Sequence, residues 1–247
     1  MTRNRLVMFN SEKSFLSKYD AKEFPVMLVT VDTVLLTYHE DQLKVLLVKR
    51  ANYPEKGKWG LPGGFLNQQS DDSLEAAAIR SIQLKTSVKP GYMEQVATVG
   101  SEQRDPRGWS VSVVYTALMP HEQSAFHIES VEDVRWVSVE TLSTLEIAFD
   151  HQELISLAVL RHKQKALYSF VPVFALTQPF TLTELRRVHE LLIGKSIQRK
   201  SFIRRAEASE MLVDTGKLRQ ERGRPATLYR AKPKIADYRF VRNIEAD

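Results

Sequence analysis

GLPGGFLNQQSDDSLEAAAIRSIQLKTSV, Gly60 to Val88, is the stretch on which the fold turns. A loop rich in Gly and Pro runs into a helix on which Leu74, Ala78, Ile82 and Lys85 recur at helical spacing, with Asp71 or Asp72 placed to cap its start. Ser81, Leu84 and Lys85 stand at i, i+3 and i+4, so they share one helix face. That face carries one hydroxyl, one alkyl group and one cation.

Outward from this element, FPVMLVTVDTVLLTYHEDQLKVLLVKR reads as two β-rich runs around the turn His39-Glu40-Asp41-Gln42. A short strand at Trp59 to Leu61 lies within the loop that precedes the helix. GYMEQVATVGSEQ and GWSVSVVYTALMP read as strands joined by the loop Arg104-Asp105-Pro106-Arg107-Gly108, and VEDVRWVSVETL as a further strand and turn. From Asp150 the pattern changes. HQELISLAVLRHKQKAL is helical, FVPVFALTQPF extended, and TLTELRRVHELLIG a capped helix with Leu182, Leu185, Val188, Leu191 and Leu192 on one face. SIQRKSFIRRAEASEM is a second helix, and LVDTGKLRQERGRPATLYRAK reads as strand, turn, strand. That order is a winged helix-turn-helix. The reading is therefore an α/β (α+β) domain at 1–150, with an N-terminal arm at 1–20, followed by a winged helix-turn-helix at 151–247.

The charge divides along the same line. Residues 178–247 hold 16 Lys+Arg against 9 Asp+Glu, a net of +7, while the rest of the chain is at −2. A basic module on a slightly acidic body points to a polyanionic partner. The 247 residues, 43% hydrophobic, suffice for a buried core, and no run approaches the roughly 18 apolar residues of a membrane span. MTRNRLVMFNSEKSF has no apolar block of a secretory signal, and the absence of cysteine excludes disulfides and thiolate metal sites, which fits a cytoplasmic protein.

In the basic module, Phe202, Ile203, Ala206 and Met211 turn inward, leaving Gln198, Arg199, Lys200, Ser201, Arg204 and Arg205 for the outer faces. A recognition helix in the major groove uses such Arg and Gln side chains for paired hydrogen bonds to base edges. Arg222-Gly223-Arg224-Pro225 forms a stiff arginine-tipped turn suited to a narrow minor groove. Thr181 and Tyr229 complete the expected DNA-binding set.

GLPGGFL followed by EAAAIRSIQL resembles a Nudix domain. Arg80, Ile82 and Val88 match its signature, while Ser81, Leu84 and Lys85 occupy the three metal-binding glutamate positions, Ser87 replaces the signature glycine, and Gly64 stands two residues too far from Arg80. A hard divalent cation needs several oxygen ligands, so the resemblance implies the fold without metal or catalytic residues. Over nearly the whole chain, VKRANYPEKGKWGLPGGF, RDPRGWSVSVVY, AFDHQELI, FTLTELRRVHELL and RGRPATLYR resemble the Nudix-related transcriptional regulators of NAD metabolism. That family implies a homodimeric repressor of NAD synthesis or salvage genes, binding double-stranded DNA and released by ADP-ribose as effector rather than cofactor. The expected ligand set is Arg50, Lys58, Trp59, Gly63, Gly64, Phe65, Arg80, Lys85, Arg104 and Arg107. An ADP-ribose pyrophosphatase with accessory DNA binding, and a regulator whose Nudix domain serves only to dimerise, are the competing readings.

Overall fold

The structure, a computed structural model, describes residues 11–86, 90–121, 131–220 and 225–244. A short helix α1 (Glu12–Leu16) lies in the N-terminal arm, before β1 (Leu28–His39) and β2 (Gln42–Arg50). Their two-residue turn places Glu40 and Asp41 both at positive φ, 52° and 54°, the backbone that suits a tight hairpin between twisted strands. β3 (Trp59–Gly60), β4 (Gly63–Phe65), α2 (Leu74–Thr86), β5 (Tyr92–Ser101), β6 (Ser110–Leu118) and β7 (Val131–Ser138) follow. They form one mixed sheet in the order β3-β2-β1-β6-β5, with β4 paired to β1 and β7 to β2. β1 and β6 run parallel, from Leu28 opposite Ser110 to Leu36 opposite Leu118.

β1 is buried on both faces, its apolar Val31, Val34, Leu35 and Leu36 interspersed with buried Thr30, Asp32, Thr33 and Thr37. On one face Val31 and Leu35 meet Ala77, Ala78 and Ile82 of α2. On the other, Val34 and Leu36 meet α3 (His151–Tyr168) through Leu154, Ile155 and Ala158. The helix α2 approaches the sheet through small side chains, with Ser81 only 3% exposed, whereas Leu74 in its first turn stays outside. Its N-terminal cap also differs from expectation. Ser73 Oγ accepts the Ala76 amide, because Asp71 is already committed to Arg80.

After α3 comes a 3-10 helix at Val171–Ala175, where the sequence suggested an extended run; Pro172 sits in its first turn and its side chains close the core. β8 (Phe180–Thr181), α4 (Leu182–Ile193), α5 (Arg199–Ala208), β9 (Leu212–Arg219) and β10 (Ala226–Ala231) make the winged helix, its sheet ordered β8-β10-β9. Thr181 and Glu184 form a reciprocal capping box at the start of α4, and Gly194 ends it with φ 77°. One apolar core runs from Val34 in the sheet through α3 to Leu185, Phe202 and Ile244, so packing is continuous past the expected boundary at Asp150. Among the described residues no helix is long and apolar enough to cross a membrane.

Candidate functional site

A cleft of about 370 Å³ opens where the ends of β1, β2 and β4 meet the loop between β5 and β6 and the start of α3. Glycine makes its floor possible. A Cβ on Gly63 would stand 2.2 Å from Asp32 Oδ1 and 2.6 Å from the Val31 carbonyl, and one on Gly60 only 3.0 Å from His151 Nδ1. The glycines of the loop thus admit close packing against a buried carboxylate and a buried imidazole.

Those two groups belong to a polar cluster beneath the cleft. Asp32 accepts a hydrogen bond from Ser112 Oγ at 2.6 Å and lies 3.7 Å from Arg104 Nη2. Arg104 holds Asp150 with two parallel bonds of 3.0 Å each and approaches Ser110 at 3.4 Å. The Leu61 amide donates to His151 Nδ1 at 2.9 Å, which places the ring proton on Nε2, 3.8 Å from Asp32 Oδ1. Burial holds the His151 pKa below its ordinary value although Asp32 and Asp150 pull the other way.

Two further arginines face the opening. Arg50 donates from Nε to the Pro54 carbonyl and lies over the Phe149 ring at 4.7 Å. Burial, and then the nearby Arg107 guanidinium, lower its pKa from the usual arginine value. Arg107 grips Asp105 at 2.7 Å and covers the half-exposed Phe65 ring at 4.8 Å. A guanidinium disfavoured by burial and by a neighbouring cation, set beside aromatic faces, offers a place for an anion attached to a planar ring.

Of the expected ligand residues, Arg50, Gly63, Gly64, Phe65, Arg104 and Arg107 line this cleft. Three others lie elsewhere. The Trp59 ring is buried in the core with Arg135 over it at 4.1 Å, because β3 turns that side chain away from the opening. Lys58 pairs with Glu55. Arg80 binds both oxygens of Asp71 at 2.6 Å and the Phe65 carbonyl at 3.1 Å, fastening the loop that carries Phe65 onto α2. The Lys85 side chain lies outside the described residues. Asp32, Asp105, Phe149 and His151, which line the cleft, and Asp150, which holds Arg104 beneath it, were missed; Phe149, Asp150 and His151 sit in AFDHQELI, where an Asp-His pair before a helix was the available signal.

The Arg80 contact gives a pH expectation. Its hydrogen bonds, reinforced by the Asn67 amide, hold Asp71 down to about 2. Because the folded value lies below the unfolded one, this contribution is complete above about pH 4 and fades as pH falls through about 2. Acid titration of the fluorescence-detected unfolding midpoint should show that loss, and Asp71→Asn should remove this pH-dependent component while lowering stability at neutral pH.

On the winged helix, α5 is anchored by buried Phe202 and Ala206 and exposes Arg199, Lys200 and Arg204, with Gln198 exposed at its cap and Ser201 half-buried. Thr181, Thr183, Arg199, Pro225 and Tyr229 border a shallow depression between α4, α5 and the wing. Two expected DNA contacts have other work. The Thr181 hydroxyl is consumed by the capping box in a residue only 1% exposed. Arg205 donates to the carbonyls of Arg242 and Asn243 and covers the Phe240 ring at 4.9 Å, since the C-terminal segment passes over that side of α5. Arg222, Gly223 and Arg224 lie outside the described residues.

The Nudix domain model matches residues 28–158, and that of the NrtR DNA-binding winged helix domain matches residues 172–231. The ADPR responsive transcriptional repressor NtrR of Acinetobacter baylyi is 38% identical over 239 residues, covering 97% of this chain and 96% of that protein. Shewanella oneidensis NrtR complexed with a 27mer DNA is 56% identical with a TM-score of 0.83, over 89% of this chain and 100% of that one. The NUDIX domain of the same Shewanella protein complexed with ADP ribose is 49% identical with a TM-score of 0.59, over 62% of this chain and 99% of that one. A Nudix domain with a glycine-floored cationic cleft, joined through a continuous core to a winged helix that displays a basic helix, belongs to the NrtR family.

Proposed function

We propose that this chain is a DNA-binding repressor whose Nudix cleft takes up ADP-ribose without cleaving it, and that occupancy releases the operator. The observation that carries this reading is the pairing of Arg50 with Phe149 and of Arg107 with Phe65 around one cleft. Such an arrangement offers cations to a diphosphate and aromatic faces to a nucleobase. The relatives support it: one is named for its response to ADPR, and one was crystallised with DNA and, as a Nudix domain, with ADP ribose. Residues do not fit the divalent cation that Nudix hydrolysis would require. Ser81 is buried beneath Gly64, with its Oγ 3.3 Å from where a Gly64 Cβ would be, Leu84 has no donor, and Lys85 is a cation.

In this reading the protein works as a homodimer on cytoplasmic DNA, at genes of NAD synthesis or salvage. Residues 1–150 sense the nucleotide and 151–247 bind the duplex, with α3 serving both. Gln198, Arg199, Lys200, Ser201, Arg204 and Tyr229, with Arg222, Gly223 and Arg224 of the wing, would meet the DNA.

The test is fluorescence anisotropy of a 27mer duplex carrying the sequence bound by the Shewanella relative, titrated at fixed salt with ADP-ribose. Release should occur with ADP-ribose and not with ribose 5-phosphate. Arg107→Ala should raise the ADP-ribose needed for half-release by about 10-fold or more, given the worth of a charge-assisted hydrogen bond. Duplex affinity indifferent to ADP-ribose would refute the reading.

A further inference from the structure

Three consecutive residues at the head of α3 each grip a different wall of the cleft. Phe149 carries Arg50 from the end of β2 on its ring. Asp150 carries Arg104 from the loop between β5 and β6 through two 3.0 Å bonds. His151 accepts the Leu61 amide from the loop between β3 and β4 and faces Asp32 of β1. Phe149 is held at φ 52°, a left-handed backbone that a bulky side chain rarely adopts unless its surroundings impose it.

The far end of the same helix grips the winged helix. The Ala166 carbonyl accepts a 2.8 Å hydrogen bond from His189 Nδ1 of α4, whose ring is fully buried. His189 in turn meets the Phe202 ring of α5 edge-on at 5.2 Å. Cleft wall, α3, His189 and the basic helix therefore form one contiguous chain of contacts.

Resting on the reading of the cleft as an effector site, we propose that residues 149–151 are the latch through which the cleft controls DNA binding, with α3 as its lever. The physical basis is competition. A guanidinium has five N–H donors in a fixed plane; the Nε and Nη2 donors of Arg104 are turned to Asp150, and the face of Arg50 is turned to Phe149. An anionic group entering between these arginines draws on the same charges that hold the head of α3. Loosening that grip lets the strained Phe149 backbone relax and α3 tilt. A tilt of about 5° in a helix about 27 Å long moves its far end by roughly 2 Å, enough to displace α4 and α5 from a fixed spacing on the duplex.

The test measures a ratio, so that changes in either baseline affinity cancel. ADP-ribose is titrated by calorimetry onto the full-length free protein and onto its complex with the 27mer duplex; the quotient of the two dissociation constants is the coupling factor. In the native chain a factor of roughly 5- to 150-fold is expected. Asp150→Asn at one end of the lever and His189→Leu at the other should each bring it to within about 2-fold of unity. A native factor of unity would overturn the effector reading and the latch together. A large native factor preserved in both variants would overturn the latch alone. Hydrogen exchange on the native protein covers the case of a variant that does not fold: ADP-ribose should change amide exchange at residues 149–155, and protection confined to residues 60–66 would overturn the latch.

Discussion

Arg104→Met is expected to destabilise the folded protein by about 3–5 kcal/mol, the usual cost of removing one partner from a buried ion pair. Methionine fills much of the arginine's length but leaves Asp150 without its two hydrogen bonds and Asp32 without a nearby guanidinium. The Arg104 side chain is only 7% exposed, so water cannot easily replace it. Arg104→Lys should recover part of the loss, since a single ammonium restores charge but not the paired geometry. Adding Asp150→Asn to Arg104→Met should also be less harmful than additivity predicts, because the orphaned charge is gone. Urea unfolding of the native protein, of the single variants Arg104→Met, Arg104→Lys and Asp150→Asn, and of the double variant measures all of this. A loss below about 1 kcal/mol for Arg104→Met would show that the cluster beneath the cleft is not an electrostatic unit.

The other large effect is expected on the winged helix. Arg199→Ala, Lys200→Ala and Arg204→Ala together should leave the fold intact, since all three side chains are exposed and α5 is anchored by Phe202 and Ala206. Operator affinity should fall by roughly 100-fold or more at physiological salt. If all three meet phosphates, the slope of log affinity against log salt should flatten by about 0.9 per residue. If one of them reads a base edge, its single variant should lose specificity at one position with little change in slope. Arg205→Ala provides the contrast: it should lower stability by releasing the segment at Arg242 and Asn243, with the salt slope unchanged. An unaltered affinity for the triple variant would remove α5 from the DNA interface.

What the sequence disclosed was local chemistry. The turn at Glu40-Asp41, the amphipathic α4 with its Thr-x-x-Glu cap, and the anchoring of α5 by Phe202 and Ala206 follow from neighbours a few residues apart. That Ser81, Leu84 and Lys85 share one face of α2 was equally visible, because helical periodicity brings them together without any tertiary knowledge. Errors arose where a distant partner claimed a residue. Asp71 looked like a cap until Arg80 took it, Trp59 looked like a ligand contact until β3 turned it into the core, and Arg205 looked outward until the C-terminal segment covered it. Phe149, Asp150 and His151 were hidden for the same reason. Leu61 and His151 are 90 positions apart, and the three walls they help join are contributed by four separate strand ends and loops.

A cleft that binds ADP-ribose without consuming it should make the protein let go of DNA. Both halves can be followed in one sample: the native protein bound to the fluorescent 27mer duplex, with Mg²⁺ and saturating ADP-ribose, monitored together by anisotropy and phosphorus NMR. The expected result is release of the duplex while the diphosphate resonances persist unchanged. Growth of AMP and ribose phosphate signals that stops on adding a chelator, or a duplex still bound at saturation, would contradict it.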